Sequence, residues 1–148
     1  MVRLSVGVLV LACAVVPSLH AQQTPPPSVV IAHTTHKQIA KAMGDVLKPQ
    51  KFKVHRASKG QIVLSQDRGS VAQATGQVMH VRLEMVFALE TMGDSIRVTP
   101  VEEAYYGGGG AELKRTVPID KDRDSFENLL RMVKARVDSI SAHSAGAS

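Results

Sequence analysis

Two histidines, His33 and His36, stand at i and i+3, a spacing at which two imidazoles on one helical turn can share a zinc ion. A zinc site needs a third protein ligand. Asp45, the next acid, lies about two and a half turns further along the same predicted helix, out of reach. The H-E-x-x-H string of a zinc protease is absent, so the pair reads as polar residues beside a helix cap. Asp120-Lys121-Asp122-Arg123-Asp124 imitates the opening of a calcium loop. Ser125 and Arg131 fall where the sharp turn and the bidentate carboxylate belong, so these acids read as helix-start residues. The run from Gly107 to Gly110 is followed by Ala111-Glu112-Leu113, which brings an acid where a phosphate would sit. No G-x-S-x-G elbow marks a serine hydrolase. Glu102 and Glu103 are adjacent on a predicted strand, so they point to opposite faces and cannot act as a pair. His80 and Glu84 share a strand face and read as polar surface. The expectation is therefore a non-enzymatic protein with no catalytic residue, no metal ligand and no cofactor.

The first 21 residues, MVRLSVGVLVLACAVVPSLHA, carry one cation at Arg3, an apolar run from Leu4 to Val16, a break at Pro17 and a small residue at Ala21. That is the pattern of a secretory signal peptide of bacterial style, with cleavage after Ala21. The run is shorter than the roughly 20 apolar residues that span a bilayer, and no transmembrane helix is expected in the mature chain. The chain is expected to be exported, either periplasmic or secreted. The alternative is a membrane-anchored lipoprotein, because Val10-Leu11-Ala12-Cys13 resembles a lipidation signal, with Leu11 where a small residue is usual. Cys13 is the single cysteine, so its removal with the leader leaves no thiol chemistry.

Composition narrows the partners. With 148 residues, 44% hydrophobic and 21% charged, the chain suits one globular domain. Aromatics make up 3% and tryptophan is absent, which argues against the stacking platforms of sugar and single-stranded nucleic acid sites. The net charge is +5, and removing the leader takes away Arg3 and no acid, leaving one positive charge fewer. In an exported protein that surplus suits an anionic envelope component (lipid head group, polysaccharide or acidic protein) rather than nucleic acid.

These residues are positioned by a simple predicted framework. Residues 22–28 form a Pro-rich tether, 29–141 a single α+β domain and 142–148 a disordered tail. Val29-Val30-Ile31 is an edge strand or an apolar anchor. A capping box, Thr35-His36-Lys37-Gln38, opens a helix with Ile39, Met43, Val46 and Leu47 on one face, which Pro49 stops. Strands follow around Phe52–Val54 and Ile62–Leu64. Residues 67–77 show no period and read as loop or frayed strand ends. Met79, Val81, Leu83, Met85, Phe87 and Leu89 then alternate strictly, marking a long strand buried on one face. Gly93 suits the first central position of a type II′ hairpin, which sets Leu89 opposite Val98 and Glu90 opposite Arg97. The strand resumes after a bulge near Pro100. A last helix starts near Asp124, capped with Glu127, and carries Phe126, Leu129, Leu130, Val133, Val137 and Ile140 on one stripe.

The predicted fold is a two-layer sandwich: a four-stranded antiparallel sheet with one face covered by an N-terminal and a C-terminal helix, in the order α-β-β-β-β-α. In element order and length, residues 35–141 resemble the helix-grip domains found in some bacterial outer-membrane assembly lipoproteins. With one sheet face covered, the alternation sends Lys51, Lys53, His55, His80, Arg82 and Arg97 to the other. There they form a basic surface for an anionic partner, and the expected role is a binding or interaction module. The alternative is a carrier of a small apolar, lipid-like ligand held between helix and sheet, with Met43, Met79 and Met85 lining the cavity.

Overall fold

The computed structural model describes residues 24–108 and 113–145. The leader, Cys13 and the last three residues of the tail lie outside the described residues. Within them the chain runs β1 (Val29–Ala32), α1 (His36–Leu47), a 3-10 turn (Lys48–Gln50), β2 (Lys53–Ala57), β3 (Gln61–Ala72), β4 (Val78–Met92), β5 (Ser95–Gly108), β6 (Leu113–Val117), a second 3-10 turn (Ile119–Asp122) and α2 (Arg123–Ala145). All strand pairs are antiparallel, in the order β1-β5-β4-β3-β2, and β6 also pairs with β5.

The sheet therefore has six strands, not the four expected, and the order on which the helix-grip likeness rested is altered. The two extra strands share one edge of β5 end to end. β1 pairs with residues 95–98 and β6 with residues 103–107. β1, expected as an edge strand or an apolar anchor, is an edge strand, whereas β6 does not announce itself in the sequence. β1 is four apolar residues without alternation, and β6 exposes Lys114, Arg115 and Thr116. Pro100, which has no N–H to donate, falls in the stretch of β5 between them that has no partner strand on that edge.

Residues 67–72, expected as loop or frayed strand ends, are the paired end of β3. Their period is hidden by a bulge: Asp67 faces Arg82 and Gly69 faces Val81, so Arg68 is the extra residue. A second bulge leaves Val101 extra, since Pro100 faces Phe87 and Glu102 faces Val86. A third leaves His55 extra in β2. The hairpin at Gly93 (φ +63°) sets Leu89 opposite Val98 and Glu90 opposite Arg97, as the turn chemistry dictates.

The capping box at α1 is complete: the Gln38 amide N–H donates to Thr35 Oγ1 and the Thr35 amide N–H to Gln38 Oε1. At α2 the expected box is not made. The helix begins one residue earlier, and Glu127 accepts from Arg123 Nε at 3.0 Å. The helix also continues through Ala145, past the expected boundary at residue 141. Pro27, placed in a tether outside the core, is buried.

Both helices lie on one face of the sheet. Ile39, Met43 and Leu47 from α1 join Phe126, Leu130, Val133 and Val137 from α2 over Ile62, Leu64, Leu83, Phe87 and Val98. Phe87 and Phe126 meet edge to face, with centroids 6.2 Å apart. Asp45 of α1 accepts from Arg136 of α2 at 2.8 Å, tying the helices together at their surface.

Candidate functional site

The uncovered sheet face is where the basic strip was expected, and it holds charge pairs. Arg97 donates to Glu90 at 2.8 Å. Arg82 meets Glu84 at 2.9 Å, with its guanidinium 5.4 Å from the centre of the Tyr106 ring. Lys114 pairs with Glu102 and sits 5.6 Å from the same ring. Its amine is held above the ordinary lysine range by the Glu102 hydrogen bond first, then by Tyr106. His80 shares a hydrogen bond with Ser70 Oγ at 2.8 Å and lies 3.9 Å from Asp67. Asp67, Glu84 and Glu102 thus interleave with the expected cations. Glu102 is here because the Val101 bulge reverses the facing of every later residue in β5.

What stays unpaired lies at the margin. His55 and Arg56 are exposed beside the bulge in β2. Lys51 is not on the sheet. It follows the 3-10 turn with left-handed backbone (φ +63°), its N–H bonded to Lys48 O at 2.9 Å. Lys48, Lys51 and Lys53 are all exposed, and with Ser65, Asp67 and Arg82 they line a groove of about 720 Å³. Among the described residues none of the three lysines has a carboxylate within 4.0 Å. Lys48 did not figure in the sequence expectation, because it ends a helix instead of alternating on a strand.

The three methionines expected to line a cavity do not converge. Met43 is fully buried in the core. Met79 packs across Gly107 at the far end of the sheet, with Gln73 Nε2 donating toward its sulfur at 3.3 Å. Met85 alone lines the opening between helices and sheet, a cleft of about 340 Å³. Its apolar wall is Leu47, Phe52, Leu83, Met85, Phe126, Leu129 and Met132, and Gln50, Arg68, Glu103, Asp122, Ser125 and Asn128 supply the polar groups.

Two bulges put charge into that cleft. Val101 turns Glu103 onto the helix-covered face, opposite Met85, and Arg68 is the extra residue of β3. Burial raises the Glu103 carboxyl above the ordinary carboxylate range, the Asp122 charge raises it further, and Arg68 opposes both. The carboxylates of Glu103 and Asp122 make no hydrogen bond or ion pair within the described residues. The sequence holds a signal for this: Glu102 and Glu103 do face opposite ways, and counting through a one-residue bulge after Pro100 assigns Glu103 inward.

The histidine pair separates onto two partners of the β4–β5 hairpin. His33 Nδ1 lies 3.0 Å from Asp94, and His36 Nε2 lies 3.3 Å from Thr91 Oγ1. Among the described residues no three His, Cys, Asp or Glu side chains are grouped to hold a metal, and no helix is long and apolar enough to cross a membrane.

Fold and site together define a two-layer α+β domain with an open sheet face, a lysine-lined margin and a polar-rimmed cleft. No protein-family model matches the chain, and comparison with curated proteins finds no match.

Proposed function

We propose that this chain is an exported, non-enzymatic binding domain that docks on an anionic component of the cell envelope through the margin between α1 and β2. The observation that supports it is the groove of Lys48, Lys51 and Lys53, three exposed cations without carboxylate partners beside a single acid, Asp67. The outer-face cations Arg82, Arg97 and Lys114 are already matched by neighbours and offer a partner less.

Charge contacts at an exposed margin weaken with salt, because the Debye length falls from about 10 Å at 0.1 M to about 3 Å at 1 M. The mature chain should bind vesicles containing anionic lipid at low salt and leave them at high salt. Lys51→Glu/Lys53→Glu should abolish that binding, whereas Arg97→Gln should not. A folded double variant that still binds overturns the proposal.

A further inference from the structure

We propose that the cleft between the helices and the sheet binds an amphipathic amine, its apolar chain against Leu83, Met85, Phe126 and Leu129 and its ammonium between Glu103 and Asp122. The site is separate from the lysine groove, sharing only Phe52 with it, and calls for a ligand of opposite charge.

The first support is placement. A strand face covered by helices ordinarily carries apolar side chains, and Leu83, Met85, Phe87 and Leu89 on β4 obey that rule. β5 departs from it at Glu103, and does so through a bulge, the backbone device that re-aims a side chain at a sheet position. A second bulge, in β3, brings Arg68 to the same opening. Two irregularities in separate strands therefore set charged groups around one apolar recess.

The second support is charge balance. Glu103 from β5 and Asp122 from the 3-10 turn before α2 face Arg68 from β3, and the remaining polar lining, Gln50, Ser125 and Asn128, is neutral. Two carboxylates against one guanidinium leave the rim short of one cation, and the two acids repel each other. A ligand ammonium between them supplies that charge. An anionic amphiphile would add a third negative group and find only Arg68. The size fits a short chain, since about 340 Å³ is near the lower end of the roughly 300–1,000 Å³ of small-molecule sites.

The test titrates the mature chain with octylammonium, octanoate and octanol below their aggregation concentrations, following ¹³C-labelled methionine methyls by NMR. Octylammonium should shift Met85 and Met132, which line the cleft, and leave Met43 and Met79 unmoved. Octanoate and octanol should bind at least about tenfold more weakly, the scale of one charge-assisted contact at a partly exposed site. Glu103→Gln, close to isosteric, should reduce octylammonium affinity by a similar factor while leaving octanol unchanged. Affinity for octylammonium should rise with pH as Glu103, in the cleft it shares with Arg68 and Asp122, loses its proton to solvent. Equal binding of the three probes, unmoved Met85 and Met132 signals, or full affinity in folded Glu103→Gln each overturns the proposal.

Discussion

Lys51 is held where glycine would be more comfortable. Its φ of +63° ends the turn that carries the chain from α1 into β2, and its side chain, exposed beside Lys48 and Lys53, does nothing visible for the fold. Glycine takes this backbone without the Cβ clash, so Lys51→Gly should stabilise the domain by about 0.5–1 kcal/mol in urea unfolding. The same variant should bind anionic vesicles more weakly. Loss of binding with a gain in stability separates a lysine kept for its charge from one that merely closes a turn. A variant that is both less stable and fully able to bind would assign Lys51 a structural role. The left-handed backbone itself has local causes at both such positions: Lys51 N–H bonds Lys48 O and Phe52 N–H bonds Leu47 O, and His33 has an ion pair and a backbone hydrogen bond to Asp94.

At the scale of elements, the strict alternation of β4 and the stripe of α2 did most of the specifying. Leu83, Phe87, Leu130 and Val133 share one core, as the two periodicities require. Leu130 is 2% exposed, so Leu130→Ala should cost about 2–5 kcal/mol by chemical denaturation. A cost below about 0.5 kcal/mol, the range of surface changes, would mean that α2 does not cover the sheet. The capping box, the type II′ hairpin and the Leu89–Val98 register were legible because each depends on residues close in sequence. β6 was not, and β1 was legible only as one of two readings, because an edge strand is made by its neighbour. Their own residues carry no period, and only the unpaired outer edge of β5 explains why they are strands. The same blindness hid the counter-charges of the expected site. Bulges at His55, Arg68 and Val101 change which face a residue occupies, and a plain count of two carries the error onward. Arg82 and Arg97 were placed on the outer face correctly, yet the carboxylates that quench Arg82 and Lys114 came from that re-facing and from strand neighbours.

For the whole molecule, Glu103 sets a pH dependence of known sign. Its carboxyl is raised in the folded state, so the native protein holds this proton more tightly than the unfolded chain does. Its contribution to stability is therefore intact below the ordinary carboxylate value, falls as pH climbs toward the raised folded value, and remains a fixed cost above it. Glu103→Gln should be as stable as the parent below about pH 4 and more stable at neutral pH, read from urea midpoints at each pH. A variant no more stable at neutral pH would place Glu103 in solvent. The pairing of Val29 with Val98 has a separate consequence, one of timing. A chain made from its N-terminus exposes β1 long before the half of β5 that receives it, and so long a loop closes slowly. Until residues 95–98 arrive, Ile31, fully buried in the finished domain, has no strand beside it. The segment just ahead of Val29 therefore hangs from a chain that cannot yet close. Any step acting on that segment during synthesis has, as its natural interval, the time taken to make everything from α1 to β5.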